Sequence, residues 1–157
     1  MQKITPFLWF DNNAEEAVNF YASVFRDAKI NSISRYSEGM PMPAGTALTI
    51  DFELFGQRFT ALNAGPMYKF TEAISFVVHC KDQEEVDYYW DKLTADGGME
   101  QPCSWLKDKY GLSWQIVPDA LIKLMSDKDA AKAQRVTMAM MQMKKIIIAD
   151  LETAYNG

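Results

Sequence analysis

An internal repeat constrains the fold of this chain more than any other feature of its sequence. A shift of 69 residues lays FLWFDNNAEEAVNFYASVF on FVVHCKDQEEVDYYWDKL, which places Phe7 on Phe76 and Tyr21 on Trp90. A shift of 55 residues lays FGQRFTAL on YGLSWQIV. Unrelated strand–helix units also resemble each other, but the agreement over several elements favours a duplication. Each half then reads as strand, helix, strand, strand, strand.

Periodicity predicts the elements of the first half. Apolar and polar residues alternate in the strands, and apolar residues recur at helical spacing in the helix. Strands are predicted at 3–10, 28–36, 46–54 and 57–63, and the helix ends near Arg26. Asp11 or Asn13 is expected to cap this helix, because a short side-chain acceptor satisfies the free amides of a first turn.

The second half repeats this order and is followed by helices. Strands are predicted at 72–80, near 99–107 and at 112–117, with a helix over 81–98 and further helices over 119–126, 129–142 and 144–155. An apolar, methionine-rich stripe in the last helices comprises Met138, Met141, Met143, Val136 and Ile147. We expect it to pack on the sheet or on a second subunit, with an adaptable ligand-binding surface as the alternative.

These patterns predict an α+β fold, in which two βαβββ modules form curved mixed sheets around a cup and helices follow at the C-terminal end. The length suits a single domain over 1–157. Within it, module one is expected at about 1–64, module two at about 70–118, and the helical segment at about 119–157.

Composition argues against several classes of function. The net charge is −5 and no basic cluster could follow a phosphate backbone, so no nucleic-acid partner is expected. The start MQKITPFLWF lacks the pattern of a signal peptide, and no apolar run is long enough to cross a bilayer. Cys80 and Cys103 are too few for a disulfide framework. A cytoplasmic protein without a membrane partner is therefore predicted.

Four segments resemble a known family. They are NNAEEAVNFY (12–21), GPMYKFTEAISF (65–76), CSWLKDKYGLSWQIVP (103–118) and RVTMAMMQMKKIIIADLETA (135–154). They are similar to the PhnB-like branch of the vicinal oxygen chelate superfamily, which includes glyoxalase I, bleomycin-resistance proteins and extradiol dioxygenases. The third segment is the most specific. The resemblance implies the paired-module fold, a small-molecule ligand and a homodimer.

The resemblance also implies a divalent metal held by His and Glu, but the corresponding positions lack such ligands. Carried through the repeat, those positions are Ile4, Ala73, Thr60 and Gln115. They offer at most neutral oxygens, whereas transition metals prefer imidazole, thiolate or carboxylate. The single histidine, His79, is interpreted as structural or exposed. No metal and no cofactor are predicted.

Proteins of this branch often carry the name 3-demethylubiquinone-9 3-methyltransferase. Such an enzyme normally needs a glycine-rich strand-to-helix turn for its adenosyl cofactor. The segment GMPMPAG is a proline-broken loop without that context, so methyl transfer is not predicted.

Strand parity predicts which side chains meet a ligand. Ser75 and Gln115 should face the cup, and so should Thr60 in the first half, while Trp114 should face the helices. Trp105 is a candidate wall for stacking a ligand, with core packing as its alternative.

Three further side chains are candidates of a weaker kind. Cys103 could contact the ligand or pack as a small buried side chain. Asp51 and Glu53 could form an acid–base pair or a solvated strand face.

Taken together, the sequence predicts a PhnB-like protein that binds a small organic molecule in the cup. An enzyme of the vicinal oxygen chelate type is the alternative, using Gln115, Thr60 and an acidic neighbour such as Glu53, with a degenerate or weak metal site. A structural dimeric adaptor is the third hypothesis. Whether any reaction is catalysed stays open at this point.

Overall fold

The computed structural model describes residues 2–157 and divides them into two compact units, one ending at Phe70 and the other spanning Thr71–Gly157. The structure has eight strands and five α-helices within the described residues. None of these helices has the length and hydrophobicity needed to cross a membrane.

The first unit is one four-stranded mixed sheet with a helix on one face. Its elements are β1 (Phe7–Phe10), α1 (Ala14–Val24), β2 (Ala28–Arg35), β3 (Ala47–Leu54) and β4 (Gln57–Asn63). The strand order is β1-β4-β3-β2, with β1 parallel to β4 and the other pairs antiparallel. The buried side of α1 packs on this sheet, where the Tyr21 ring stacks on Phe52 with centroids 6.4 Å apart.

The second unit has the same topology and a helical extension. Its elements are β5 (Ser75–Cys80), α2 (Gln83–Thr94), β6 (Met99–Glu100), β7 (Trp105–Lys107), β8 (Ser113–Pro118), α3 (Asp119–Met125), α4 (Ala130–Met141) and α5 (Ile148–Asn156). A 3₁₀ turn at Ala95–Gly97 follows α2. The strand order is β5-β8-β7-β6, and β5 is parallel to β8. The predicted βαβββ duplication and the α+β class are thereby confirmed.

Strand register corrects one detail of the repeat. Phe7 pairs with Thr60 in the first sheet, and Val77 pairs with Gln115 in the second. Phe7 is therefore equivalent to Val77, and the first strands are related by 70 residues rather than 69. Burial agrees, since Leu8 and its equivalent Val78 are both buried. The helices keep the shift of 69, because Tyr21 and Trp90 are both fully buried.

Three predicted strands are shorter than expected. The strands predicted at 3–10 and 72–80 begin at Phe7 and Ser75, where their ladders with β4 and β8 begin. The strand predicted near 99–107 is two short strands, because Cys103 and Ser104 have φ angles of 60° and 74°. Such left-handed conformations interrupt an extended strand.

The helix caps differ between the halves. The prediction that Asp11 or Asn13 caps α1 is wrong, because Asn13 occupies the cap position without a side-chain hydrogen bond. Instead the Ala14 amide donates to Asn63 Oδ1 at 2.8 Å, from the end of β4. In α2, Asp82 is a local cap that accepts from the Glu85 amide at 2.9 Å.

The C-terminal helices have their own buried cluster of Leu121, Val136, Ile146 and Leu151. The predicted methionine stripe is not one surface. Val136 is fully buried and Met143 packs against the cluster, whereas Met138 and Met141 are exposed. Helix α4 ends at Met141, so Met143 leaves the helical periodicity on which the stripe was based. The homodimer stays a prediction, without this stripe as an argument.

Candidate functional site

Each sheet has one face covered by its helix and one face turned away from it, which we call the open face. In β8, Trp114 and Ile116 are buried on the helix side, as parity predicts. Gln115 and Val117 lie on the open face and are half-buried, and Val117 packs against the buried cluster of the C-terminal helices. Thr60 has the corresponding place on the open face of the first sheet, between buried Phe59 and Ala61.

Three of the predicted site residues come together on the second open face. Gln115 pairs with Trp105 of β7 on one side and with Val77 of β5 on the other, which forms one row across the sheet. The Gln115 Nε2 atom donates to the Ser75 hydroxyl at 2.8 Å. Ser75, Gln115 and Trp105 are all half-buried, so an amide, a hydroxyl and an indole ring lie within reach of solvent. We call Val77, Gln115 and Trp105, with Ser75, the second row.

Cys103 lies in the turn before β7 rather than in the second row. Its amide donates to the Met143 carbonyl at 2.8 Å, and the Ser104 amide donates to the Lys144 carbonyl at 3.0 Å. These bonds hold two consecutive left-handed residues in place and set the direction in which β7 begins. The segment after α4 thus positions Trp105 through its turn, a contact that periodicity could not predict.

Ser113 is a residue of this face that the sequence did not single out. Its side chain is fully buried, and its Oγ is the one buried side-chain polar atom within residues 2–157 that has no hydrogen-bond partner. It pairs in register with Ser75 and with Lys107. Lys107 Nζ lies 2.6 Å from the Glu72 carboxylate. Hydrogen bonding from Lys107 is the main reason that the pKa of Glu72 is lowered.

Thr60 is the one predicted ligand-binding residue that belongs to the first unit. Its hydroxyl donates to Asp51 Oδ1 at 2.7 Å, and Ser32 Oγ lies 3.3 Å from Asp51 Oδ2. Phe7, Thr60 and Asp51 are consecutive in register across the sheet, and we call them the first row. Glu53 lies on the same face and accepts from Asn31 Nδ2 at 2.9 Å.

A buried carboxylate supports the β7–β8 turn. Asp108 is buried and accepts from the amides of Tyr110 and Leu112, at 2.8 and 3.1 Å, and from Trp114 Nε1 at 2.9 Å. From the sequence alone, Lys107, Asp108 and Lys109 indicate only a charged turn. The signal for this role in the sequence is an Asp three residues before a Gly, because an Asp side chain in a turn often accepts a hydrogen bond from the backbone amide two residues further along.

Cys80 and His79 have no reactive arrangement. Burial and then the charges of Glu85, Asp119 and Asp82 raise the pKa of the Cys80 thiol to about 12, so the thiol stays protonated and packs as a small buried side chain. His79 is exposed at the end of β5, on the side of the strand opposite to Cys80. Cys80 and His79 therefore form no catalytic pair.

The family-implied metal does not fit the residues present. Ile4 and Ala73 precede the strands and are exposed, and they carry no ligand atoms. The hydroxyl of Thr60 is bonded to Asp51, and the amide of Gln115 to Ser75. Among residues 2–157, no group of three or more His, Cys, Asp or Glu side chains could hold a metal ion.

The family-implied adenosyl cofactor is not matched by a glycine-rich turn. The turns between β1 and α1 and between β5 and α2 consist of residues 11–13 and 81–82, and neither contains glycine. The first helix amide of α1 is occupied by Asn63, and two glutamates stand in the first turn of each helix. A negatively charged phosphate or carboxylate is disfavoured beside such acidic turns.

Comparison with known proteins identifies the family. Residues 2–117 match the family model described as 3-demethylubiquinone-9 3-methyltransferase, so helices α3 to α5 lie outside the matched region. The chain is 43% identical to a PhnB protein from Bacillus cereus that carries the same methyltransferase name. That match has a TM-score of 0.68 and covers 74% of this chain and 99% of that one. No curated protein matched the chain.

More distant structures share the fold. The fosfomycin resistance protein FosX from Listeria monocytogenes is 14% identical, with a TM-score of 0.52 over 75% of this chain and 93% of that one. FosX from Mesorhizobium loti is 11% identical, with a TM-score of 0.52 over 74% and 92%. The family-model match over residues 2–117 and the 43% identity to the PhnB protein show that the chain belongs to the PhnB-like family described as 3-demethylubiquinone-9 3-methyltransferase.

Proposed function

We propose that the protein binds a small organic molecule and that the second row provides a principal binding surface. The observation that carries this proposal is the meeting of Gln115, Ser75 and Trp105 on one half-buried face. A few polar groups beside an aromatic wall are the usual means by which proteins orient small ligands. Thr60 and Cys103 remain proposed contacts, the former on the first sheet and the latter beside β7.

The polar groups of the second row suit a neutral ligand. One N–H of Gln115 is directed to Ser75, which leaves its second N–H and its carbonyl oxygen for a partner. Such a pair complements a carbonyl, a hydroxyl or an amide. Trp105 is next to Gln115 in register and offers a ring face for an apolar or aromatic body.

Two preparations of the protein test this proposal. The wild type and Gln115→Ala are purified under native conditions, and molecules released by denaturation are compared by untargeted mass spectrometry. A molecule enriched with the wild type and lost from Gln115→Ala is expected. The matched control is Gln142→Ala, because Gln142 is an exposed glutamine at the end of α4.

A defined probe makes the same test quantitative. Benzamide is neutral and combines a ring with a carbonyl and an amide, so we expect saturable binding by protein-observed NMR. Gln115→Ala should weaken it by about tenfold, the effect of leaving a ligand hydrogen bond unmade. Unchanged binding by Gln115→Ala, or equal loss in Gln142→Ala, contradicts a binding role for the second row.

Methyl transfer, which the family name implies, is not part of the proposed function. The glycine-free strand–helix turns support this position, and the expected result is that isothermal titration calorimetry detects no saturable binding of S-adenosylmethionine. Micromolar binding of S-adenosylmethionine contradicts it and favours the enzymatic alternative.

A further inference from the structure

We propose that the first row binds a small organic cation, an ammonium or guanidinium group on an apolar body, between the Phe7 ring and the Asp51 carboxylate. This inference rests on the proposed function, in that an open face binds a small molecule, and it assigns a distinct ligand class to the first sheet. Charge, aromatic exposure and spacing each support it.

The charge of Asp51 is held in place but is not neutralised. Two hydroxyls, from Thr60 and Ser32, lie 2.7 and 3.3 Å from its two oxygens. Within residues 2–157, no lysine or arginine forms an ion pair with Asp51, whereas the neighbouring Glu53 lies 4.0 Å from Arg58 Nε. Each Asp51 oxygen retains acceptor capacity, so a half-buried carboxylate is available for a charged N–H donor.

Aromatic rings lie at the β1 end of the same row. The Phe7 side chain is 59% exposed although it stands in a strand. Trp9 follows it on the same face, where its Nε1 donates to the Gly65 carbonyl at 2.9 Å. The exposed Tyr68 ring packs edge-on against Trp9, with centroids 4.9 Å apart. An aromatic face near a cation is attractive, and exposed aromatic groups of this kind mark binding surfaces.

The spacing of the row suits a ligand with both features. Phe7 and Asp51 pair with Thr60 from the two neighbouring strands. They are therefore separated by two strand spacings, about 10 Å between backbones. Thr60, which lies between them, is small and half-buried. A ring that stacks on Phe7 can therefore place an attached ammonium at Asp51.

The test uses benzylamine, which is a cation at neutral pH, and benzyl alcohol as its neutral equivalent. Protein-observed NMR titrations of the full chain should give benzylamine about tenfold tighter binding than benzyl alcohol, with shifts centred on the first row. Asp51→Asn should reduce benzylamine binding by about tenfold, to the level of the alcohol. Phe7→Leu should weaken it by a few-fold.

Two matched variants separate a site from the general attraction of a protein with a net charge of −5. Glu53→Gln removes a carboxylate from the same face, and Phe55→Leu removes a ring that is 56% exposed at the β3–β4 turn. Both should leave benzylamine binding within about twofold of wild type. Equal losses in Asp51→Asn and Glu53→Gln, or no preference for benzylamine over the alcohol, overturn the proposal.

A further variant distinguishes failure of this inference from failure of the proposed function. Gln115→Ala should leave benzylamine binding unchanged while it weakens benzamide binding. Loss of both probes in Gln115→Ala overturns the separate first-row site. If the wild type binds benzamide but not benzylamine, only the cation inference is overturned. If Asp51→Asn folds poorly, the loss of benzylamine binding in Phe7→Leu still tests the first-row site.

Discussion

The two rows occupy equivalent places in two sheets of the same topology, yet they differ in chemistry. Thr60 and Gln115 stand at the centre of each row. Asp51 of the first row corresponds to Trp105 of the second, and Phe7 corresponds to Val77. The aromatic side chain therefore lies on the first strand of one unit and on the third strand of the other.

This difference shows that the duplication preserved the helix-facing side more closely than the open side. Phe59 and Trp114 are equivalent and both buried, as are Ala61 and Ile116. A core position must stay apolar because it is removed from water, whereas an open face can change its polarity without this cost. The open faces are accordingly where we place ligand binding.

The largest expected effect concerns the equivalent core pair Trp114 and Phe59. Trp114→Ala should lower the free energy of unfolding by about 3–5 kcal/mol, from lost packing. It also removes the 2.9 Å hydrogen bond to Asp108, so it should exceed the effect of Phe59→Ala in urea denaturation. Trp114→Phe keeps an aromatic ring but removes the hydrogen bond and part of the buried indole, so it should cost about 1–3 kcal/mol. A larger loss from Phe59→Ala contradicts this ordering.

The next largest effects on stability should come from the helix caps, which differ between the two units. Asn63→Ala removes a buried bond to the Ala14 amide and another to the Ala47 carbonyl, so we expect a loss of about 2–3 kcal/mol. Asp82→Ala removes an accessible cap and should cost about 1 kcal/mol. Thermal and urea unfolding provide the comparison, and equal costs show that the long-range cap is no stronger than the local one.

The third prediction concerns Cys80, whose equivalent in the first unit is the non-titrating Phe10. The pKa of Cys80 is raised to about 12, so its contribution to stability is complete below the unfolded pKa, near 8.5, and is lost as pH rises towards 12. Wild type should lose on the order of 1 kcal/mol more than Cys80→Ala between pH 7 and pH 10. Parallel pH profiles for the two proteins contradict the raised pKa.

The smallest effects on folding should come from the centres of the rows. Gln115→Ala and Thr60→Ala each remove one half-buried hydrogen bond, to Ser75 and Asp51, and each should cost about 1 kcal/mol or less. Urea denaturation checks this. A cost above about 2 kcal/mol for Gln115→Ala indicates a structural role and weakens the case that its side chain serves a ligand.

Local patterns were sufficient for the elements and for the direction of most side chains. Alternation in β4 and β8 correctly predicted that Thr60 and Gln115 leave the helix-facing side, because successive residues of a strand point to opposite faces. Strand ends were predicted poorly at Phe7 and Ser75, because a strand ends where its partner ends, and sequence periodicity does not show the partner.

Asn63 and Asp108 have structural roles that local sequence patterns do not predict. Asn63 caps a helix that begins 49 residues earlier, and neither its neighbours nor its spacing indicates that partner. The sequence around Asp108 indicates only a charged turn, although its carboxylate is buried and accepts from Trp114 Nε1. Both are short polar side chains whose hydrogen-bond partners are determined by the tertiary structure.

The sequence by itself determined the duplicated βαβββ order, the family and the polar identity of Gln115 and Thr60, because periodicity and residue type are properties of the chain alone. Tertiary structure decided the shift of one residue that matches Phe7 with Val77, and it decided which side chains share a row. Register between strands depends on hydrogen bonds and packing across the sheet, so the chemical contrast between Asp51 and Trp105 emerges only when the strands have paired.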